Sequence, residues 1–422
     1  MMRRRPSSSL GVAVFISGGF SPLRLPQCLR IVAANGGMMR ISLISAAVVA
    51  ALVGYGSTIA LVLAAAAAVG ADAAQTTSWV LAVSFAKALG SAWLSAWNRV
   101  PVVLAWSTPG AALIAATTGV SMAEAVGAFV LAAGLIVLTA LVRPLGRLVA
   151  AIPDGIAAAM LAGVLLPFCL KGALAAEAAP GLVLPMLAVF ALVRLWNPAL
   201  AVLAALAAGV ALAFGTGAAV MPDLSFPAPA PVFIWPEWNG AVLIGLGVPL
   251  YLVTMASQNL PGFAVMRAAG YAPPVTRALA VTGGVSAVSA LFGAHTVNMA
   301  AITAAICMGD EVHPDRDQRW KVGLAYASAW VALGLCSPAI LLLLAALPPQ
   351  VMGALVALAL LGPLMGALAG AFAALDTRFA ATITLAVGGS GVVVFGVGAA
   401  FWGLLTGLAI YGLERAKTAG KP

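Results

Sequence analysis

The stretches A-W-S-T-P-G (residues 105–110) and G-A-H-T-V-N (residues 293–298) interrupt an otherwise apolar chain at matching places in its two halves. Each sets hydroxyls or amides among small residues, in a run too short and too polar to cross a bilayer as a regular helix. Paired interruptions of this kind point to a transporter whose substrate site is built from discontinuous helices. On this reading residues 101–118 and 295–309 are half-helix regions that meet at mid-membrane.

The surrounding composition sets the class. Of 422 residues, 63% are hydrophobic and 8% charged, against roughly 25% charged in a soluble domain. A membrane-crossing helix needs about 20 apolar residues, and the period-two alternation of a membrane barrel is absent. The sequence therefore predicts an all-α integral membrane protein. Fourteen transmembrane segments are expected, counting the two half-helix regions.

Charge placement predicts the topology. Of the 15 basic residues beyond position 40, 13 fall on one side of this layout, among them Arg99, Arg194, Arg267, Arg277, Arg316, Arg319 and Arg378. Asp72, Glu124, Glu177, Asp223 and Glu237 collect on the other. The positive-inside rule then puts both termini in the cytoplasm. Topology and a basic start account for the net charge of +9, and no nucleic-acid partner is needed to explain it. Residues 1–40 carry six arginines and no acid, and read as a disordered tail. Met38 and Met39, just before the first strong span, raise the expectation of an over-extended start.

An internal repeat accompanies the two breaks. Pro153 and Pro167 recur as Pro349 and Pro363, 196 positions on, and the same offset carries Tyr55 to Tyr251. Two halves of seven spans follow, residues 41–221 and 240–413, joined by a connection at 222–239 and followed by a tail at 414–422. An odd number of spans per half places the repeats in opposite orientations, the inverted arrangement of many secondary transporters.

Five motifs in order, P-V-V-L-A-W-S-T-P-G-A-A-L (101–113), I-P-D-G-I-A-A-A-M-L-A-G-V-L-L (152–166), M-A-S-Q-N-L-P-G-F (255–263), G-A-H-T-V-N-M-A-A-I-T-A-A-I (293–306) and H-P-D-R-D-Q-R-W (313–320), resemble the benzoate/proton symporter family of bacterial inner membranes. The resemblance runs from about residue 41 to 413. It implies the fold of nucleobase and sulfate/bicarbonate transporters, with a core domain (41–142 and 240–346), a gate domain (153–216 and 350–413) and substrate between the half-helices. In the related uracil/proton symporters glutamates align with His295 and Gln258, and both carboxylates are missing here. An anionic cargo would be repelled by them.

Residue chemistry agrees with an aromatic carboxylate. Half-helix N-termini carry about half a positive charge and unpaired N–H groups. Ser107, Thr108, Gln258, Asn259, Thr296 and Asn298 add hydrogen-bonding groups, while Tyr55, Trp106 and Phe85 are candidates to face the ring, or equally to pack between helices. Imidazole is a side chain that can titrate near neutral pH, which makes His295 the candidate for proton coupling or substrate binding; the competing reading is a neutral histidine bonded across helices. Lys87 is either a substrate counter-ion or a structural partner of a carbonyl or of Asp72. Glu124 and Asp154 read as residues of helix N-termini. Asp310, Glu311, His313, Asp315 and Asp317 read as a salt-bridged loop beside Arg316 and Arg319 rather than a metal site. No metal or other cofactor is expected, and Cys28, Cys169, Cys307 and Cys336 form no C-x-x-C pair.

The expected function is import of benzoate, or a close aromatic acid, with a proton. The expected partners are that acid, the proton, the bilayer and, among possible assemblies, a homodimer. The runner-up is a carrier of the same fold for another small organic anion or a nucleobase-like cargo. An integral membrane enzyme ranks third, since no second catalytic partner accompanies His295, and no G-x-x-x-x-G-K-[ST] loop is present to power primary transport.

Overall fold

A computed structural model of the chain describes residues 25–142, 144, 151–223 and 228–419. The expectations for residues 1–24, for Arg143 and Arg147 and for Lys421 lie outside the described residues. The chain divides into two compact units, residues 1–41 and 42–422. Helix α1 (Leu25–Gly56) begins in the first, so a helix starts within the segment read as a tail.

The elements follow the apolar pattern and are set off by recognisable caps. After α1 and α2 (Ile59–Ala68), Asp72 opens α3 (Ala73–Asn98) with a capping box to Gln75. Ser121 and Glu124 do the same for α5 (Met122–Leu141), which satisfies first-turn N–H groups that a helix cannot satisfy internally. Between them lie strand β1 (Leu104–Trp106) and the eight-residue α4 (Thr108–Ala115). Then come α6 (Asp154–Ala178), α7 (Pro180–Trp196) and α8 (Ala201–Gly215).

The second half repeats the order. Helix α9 (Gly240–Ala268) is continuous but carries two π-helical turns, at Leu243–Gly247 and Met255–Asn259. It is followed by α10 (Val275–Ala290), strand β2 (Val297–Met299) and the short α11 (Ile302–Met308). Helices α12 (Lys321–Leu335) and α13 (Ser337–Ala345) follow one another across a 55° bend. The chain closes with α14 (Pro349–Ala371), α15 (Arg378–Gly389), the hairpin β3 (Val393–Val394) and β4 (Val397–Gly398), and α16 (Ala399–Ala419).

Among the described residues six helices are long and apolar enough to cross a membrane, or seven if the bent pair counts as one span. The sequence layout of fourteen segments counts differently: α7, α8 and α10 have 10–17 residues, α15 has 12, α16 is 21 residues long but ends in the charged Glu414, Arg415 and Lys417, and the two interrupted segments devote part of their length to extended backbone. The molecule is mostly helical, with two interrupted segments where two were expected.

Packing crosses between the halves. Helix α3 lies along α12, and α10 lies along α5; α6 packs against α14 and α15, α7 against α8, and α15 against α16. Small residues permit the close approaches, as expected where packing rather than hydrophobicity drives helix association. A Cβ at Gly283 on α10 would stand 2.9 Å from the Val137 backbone nitrogen and 3.0 Å from the Ala133 carbonyl on α5. Gly283→Val should therefore force α10 off α5 and cost about 1–3 kcal/mol, read as a lowered unfolding temperature in detergent; an unchanged temperature would show that this contact is looser than described.

Candidate functional site

The two interruptions meet. Strands β1 and β2 pair antiparallel, with Leu104 opposite Met299, Ala105 opposite Asn298 and Trp106 opposite Val297. Bonds from Ser107 N to Thr296 O and from Ala300 N to Val103 O, both 3.0 Å, extend the ladder at each end. A two-stranded ribbon has two open edges, and in a water-poor interior each unpaired backbone group is costly.

Neighbouring side chains close those edges. On α3, Ser91 Oγ accepts from Leu104 N, and Ser95 Oγ accepts from Val102 N while donating to Val102 O. Tyr326 on α12 donates to Leu104 O at 2.9 Å. Ser286 on α10 accepts from Val297 N at 2.8 Å, and Asn259 Oδ1, in the second π turn of α9, accepts from Met299 N at 2.9 Å. A π turn re-aims side chains within a helix and recurs at functional sites; here it puts Asn259 against β2 and leaves Gln258 beside Asn298, whose Nδ2 lies 3.4 Å from Gln258 Oε1. Asn298 Nδ2 also donates to Met299 O. Thr254 Oγ1 links the crossing from a third direction, 2.8 Å from Thr296 Oγ1 and 3.2 Å from Ser107 Oγ.

The two half-helices are not equivalent. Ser107 caps α4: its Oγ accepts from Gly110 N and its carbonyl from Ala111 N. Pro109 has no N–H, so Thr108 carries the first-turn amide of α4 that lacks a partner among the described residues. This departs from the sequence expectation of two open N-termini. No side chain caps α11. At its other end Arg319 donates to Met308 O and to Asp310 Oδ1, a cation at a helix C-terminus, so the acidic loop of residues 310–317 is tied down as a salt-bridged loop.

Two cavities adjoin α4. One, of about 190 Å³, is lined by Thr58, Lys87, Trp106, Thr108, Gln258, Thr303, Tyr326 and Trp330, and reaches Phe190, Arg194 and Pro363 on the helices opposite. It is smaller than the roughly 300–1,000 Å³ of pockets for drug-sized ligands, a size for a single-ring molecule. The other, of about 1000 Å³, is apolar and lies between α2, the C-terminal end of α6, α13 and the start of α14, with Ala115 of α4 in its wall. The N-terminal end of α4 thus borders one cavity and its C-terminal end the other.

Of the residues read from the sequence, Trp106, Thr108 and Gln258 line the smaller cavity. Ser107, Asn259, Thr296 and Asn298 are buried and build the crossing behind it. Tyr55 lies one layer away, its ring 5.7 Å from Trp106 and 5.9 Å from Trp330. Phe85 is exposed on the surface. His295 is fully buried, and its Nδ1 accepts from Trp79 Nε1 at 2.9 Å. An indole only donates, so the neutral ring carries its proton on Nε2, which lies near the Ser107 backbone without forming a well-directed hydrogen bond. Gly293, at φ 91°, turns the chain toward Trp79, a conformation open to glycine at little cost. Asp72 is occupied by Gln75, and Glu124 accepts from Asn239 Nδ2 at 2.7 Å, so neither pairs with Lys87.

Sequence reasoning passed over Thr58, Thr303, Tyr326 and Trp330. Thr58 had a signal, a hydroxyl inside an apolar span: it accepts from Trp106 Nε1 at 2.6 Å and donates to Gly54 O at 2.8 Å, where α1 gives way to α2. Tyr326 and Trp330 carried none, being aromatic residues in an apolar helix.

Ser286→Ala should leave Val297 N–H buried without an acceptor and cost about 1–3 kcal/mol, measurable as loss of thermal stability of the purified protein. Full stability in this variant would mean the edge of β2 is satisfied elsewhere.

The chain matches the family model described as "Benzoate membrane transport protein" over residues 37–413. It is 41% identical to the inner membrane protein YdcO of Escherichia coli K12 over 319 residues, 75% of this chain and 82% of that one. It is 35% identical to the benzoate membrane transport protein of Acinetobacter baylyi over 325 residues, 77% and 82% of the two chains. Among solved structures, the transmembrane domain of the cyanobacterial bicarbonate transporter BicA superposes with a TM-score of 0.56 at 13% identity, covering 88% of this chain and 96% of that one. SLC26A9 does so with 0.59 at 14% identity, covering 89% and 66%. At such identities the likeness concerns fold alone.

Proposed function

The chain belongs to the benzoate membrane transport family, a family of carriers rather than enzymes, and we propose that it imports benzoate or a close aromatic carboxylate together with a proton by alternating access. The location is the bacterial inner membrane with both termini cytoplasmic, in keeping with the charge asymmetry and with the inner-membrane relative. The proposed architecture is fourteen segments in two inverted repeats. The core domain (41–142 and 240–346) holds the strand crossing, and the gate domain (153–216 and 350–413) faces it.

The observation that carries this reading is the position of the 190 Å³ cavity. One wall is the break itself, with Trp106, Thr108 and Gln258; the other comes from α7 and α14, which belong to the opposing group of helices. A cargo held there touches both groups, so rocking one against the other would open it to the two sides of the membrane in turn. Trp106 offers an aromatic surface, while the Thr108 amide and hydroxyl and the Gln258 amide offer donors.

His295 is the proposed coupling group. Loading a second proton onto the ring makes both nitrogens donors, and the bond from Trp79 then has no acceptor. Protonation is in this way tied to a shift between α3 and β2. One proton per carboxylate moves no net charge in a transport cycle, so the pH difference drives uptake and the voltage does not.

Proteoliposomes with an inward acid gradient should accumulate labelled benzoate, with no further gain from an imposed membrane potential. Uptake indifferent to the acid gradient would contradict symport. His295→Gln should bind benzoate yet lose accumulation against a gradient; wild-type accumulation in that variant would remove His295 from coupling.

A further inference from the structure

Lys87 sits inside the membrane region, 1% exposed, on the face of α3 turned to the smaller cavity. Its Nζ stands 3.7 Å from the ring centre of Trp106 and 2.8 Å from that of Trp330. Among the described residues it forms no hydrogen bond or ion pair. A lysine head group carries up to three N–H donors; two indole rings flank it, and it lines the cavity. No aspartate or glutamate lines that cavity, whereas a second cation, Arg194, does.

We propose that Lys87 is the counter-ion of the cargo carboxylate and, with the free amide of Thr108, sets the carrier's preference for aromatic acids over neutral molecules of the same shape. This rests on the reading of the smaller cavity as the cargo site. Buried charges are found paired, and here the missing partner is the cargo itself. The two indoles hold the ammonium by cation–π attraction without supplying the negative charge that would occupy it permanently. A carboxylate arriving from the cavity meets Lys87 Nζ on one side and Thr108 N–H, at the positive end of α4, on the other. Its ring then lies along the apolar wall of Val53, Phe190 and Leu358. A lysine that served only to fill space would be replaced to advantage by methionine, since a buried unpaired charge is destabilising.

The test compares benzoate with benzamide, which keeps the shape and loses the charge, as competitors for labelled benzoate on the full chain in lipid nanodiscs. Wild type should prefer benzoate by tenfold or more. Lys87→Met should lower benzoate affinity at least tenfold, change benzamide affinity less than threefold, and leave the ligand-free unfolding temperature equal or higher; Lys87→Gln serves as a second neutral variant. Retained preference for benzoate in both variants, or a lowered ligand-free unfolding temperature in both, overturns the proposal, the second outcome marking a structural lysine. Loss of the preference in Arg194→Gln but not in Lys87→Met also overturns it. A wild type that binds benzoate while Lys87→Met keeps the preference removes Lys87 alone, whereas a wild type that binds neither compound removes the cargo reading and this proposal with it.

Discussion

A three-residue ribbon of two strands, buried where no bulk water reaches, has to find a partner for every outward N–H and C=O. That constraint organises the centre of this protein. In a soluble sheet the edges would be finished by further strands or by solvent. Here Ser91, Ser95, Tyr326, Ser286 and Asn259 finish them, each delivered by a different turn of a surrounding helix. Ser91, Ser95 and Ser286 are accordingly structural, placed by the strands they serve. Because the two strands come from opposite halves, neither half can satisfy its own break, and the halves are interlocked at this buried crossing.

The same requirement shapes the site. Polar groups are plentiful at the crossing, but most are consumed by it: Ser107, Thr254 and Thr296 bond one another, Asn259 holds β2, and Asn298 turns back to its own strand. What remains at the cavity is the Thr108 amide and hydroxyl, Gln258 and the head group of Lys87 between two indoles. If the cargo binds there as proposed, a few unsatisfied donors inside an apolar shell would select it by charge and shape, since each donor left unmet is costly.

Much of this was legible in the residues. Composition and charge asymmetry specify a helical membrane protein, and the two polar interruptions mark where the helices break, because nothing else explains Ser, Thr, His and Asn in such apolar surroundings. The strand pairing was not legible: Leu104–Trp106 and Val297–Met299 are too short for any periodicity, and their register depends on contacts across nearly 200 positions. Nor could the roles of the polar residues be separated. Thr108 and Thr296 look equivalent in sequence, yet one faces the cavity and the other is sealed against Thr254. Lys87 shows as an isolated charge, but the indole of Trp330 that flanks it comes from a distant helix, and only the fold brings them together. The asymmetry of the half-helices likewise depends on the Ser107 side chain turning back to Gly110 rather than outward.

The proposed transport cycle depends on where the cargo lies. The most direct measurement is a density map of the protein bound to a para-halogenated benzoate, whose heavy atom marks both position and orientation. The ligand is expected in the 190 Å³ cavity, carboxylate toward Thr108 and Lys87 and halogen toward α7 and α14. Density instead in the 1000 Å³ apolar cavity alone, or a carboxylate turned away from α4, would contradict that placement.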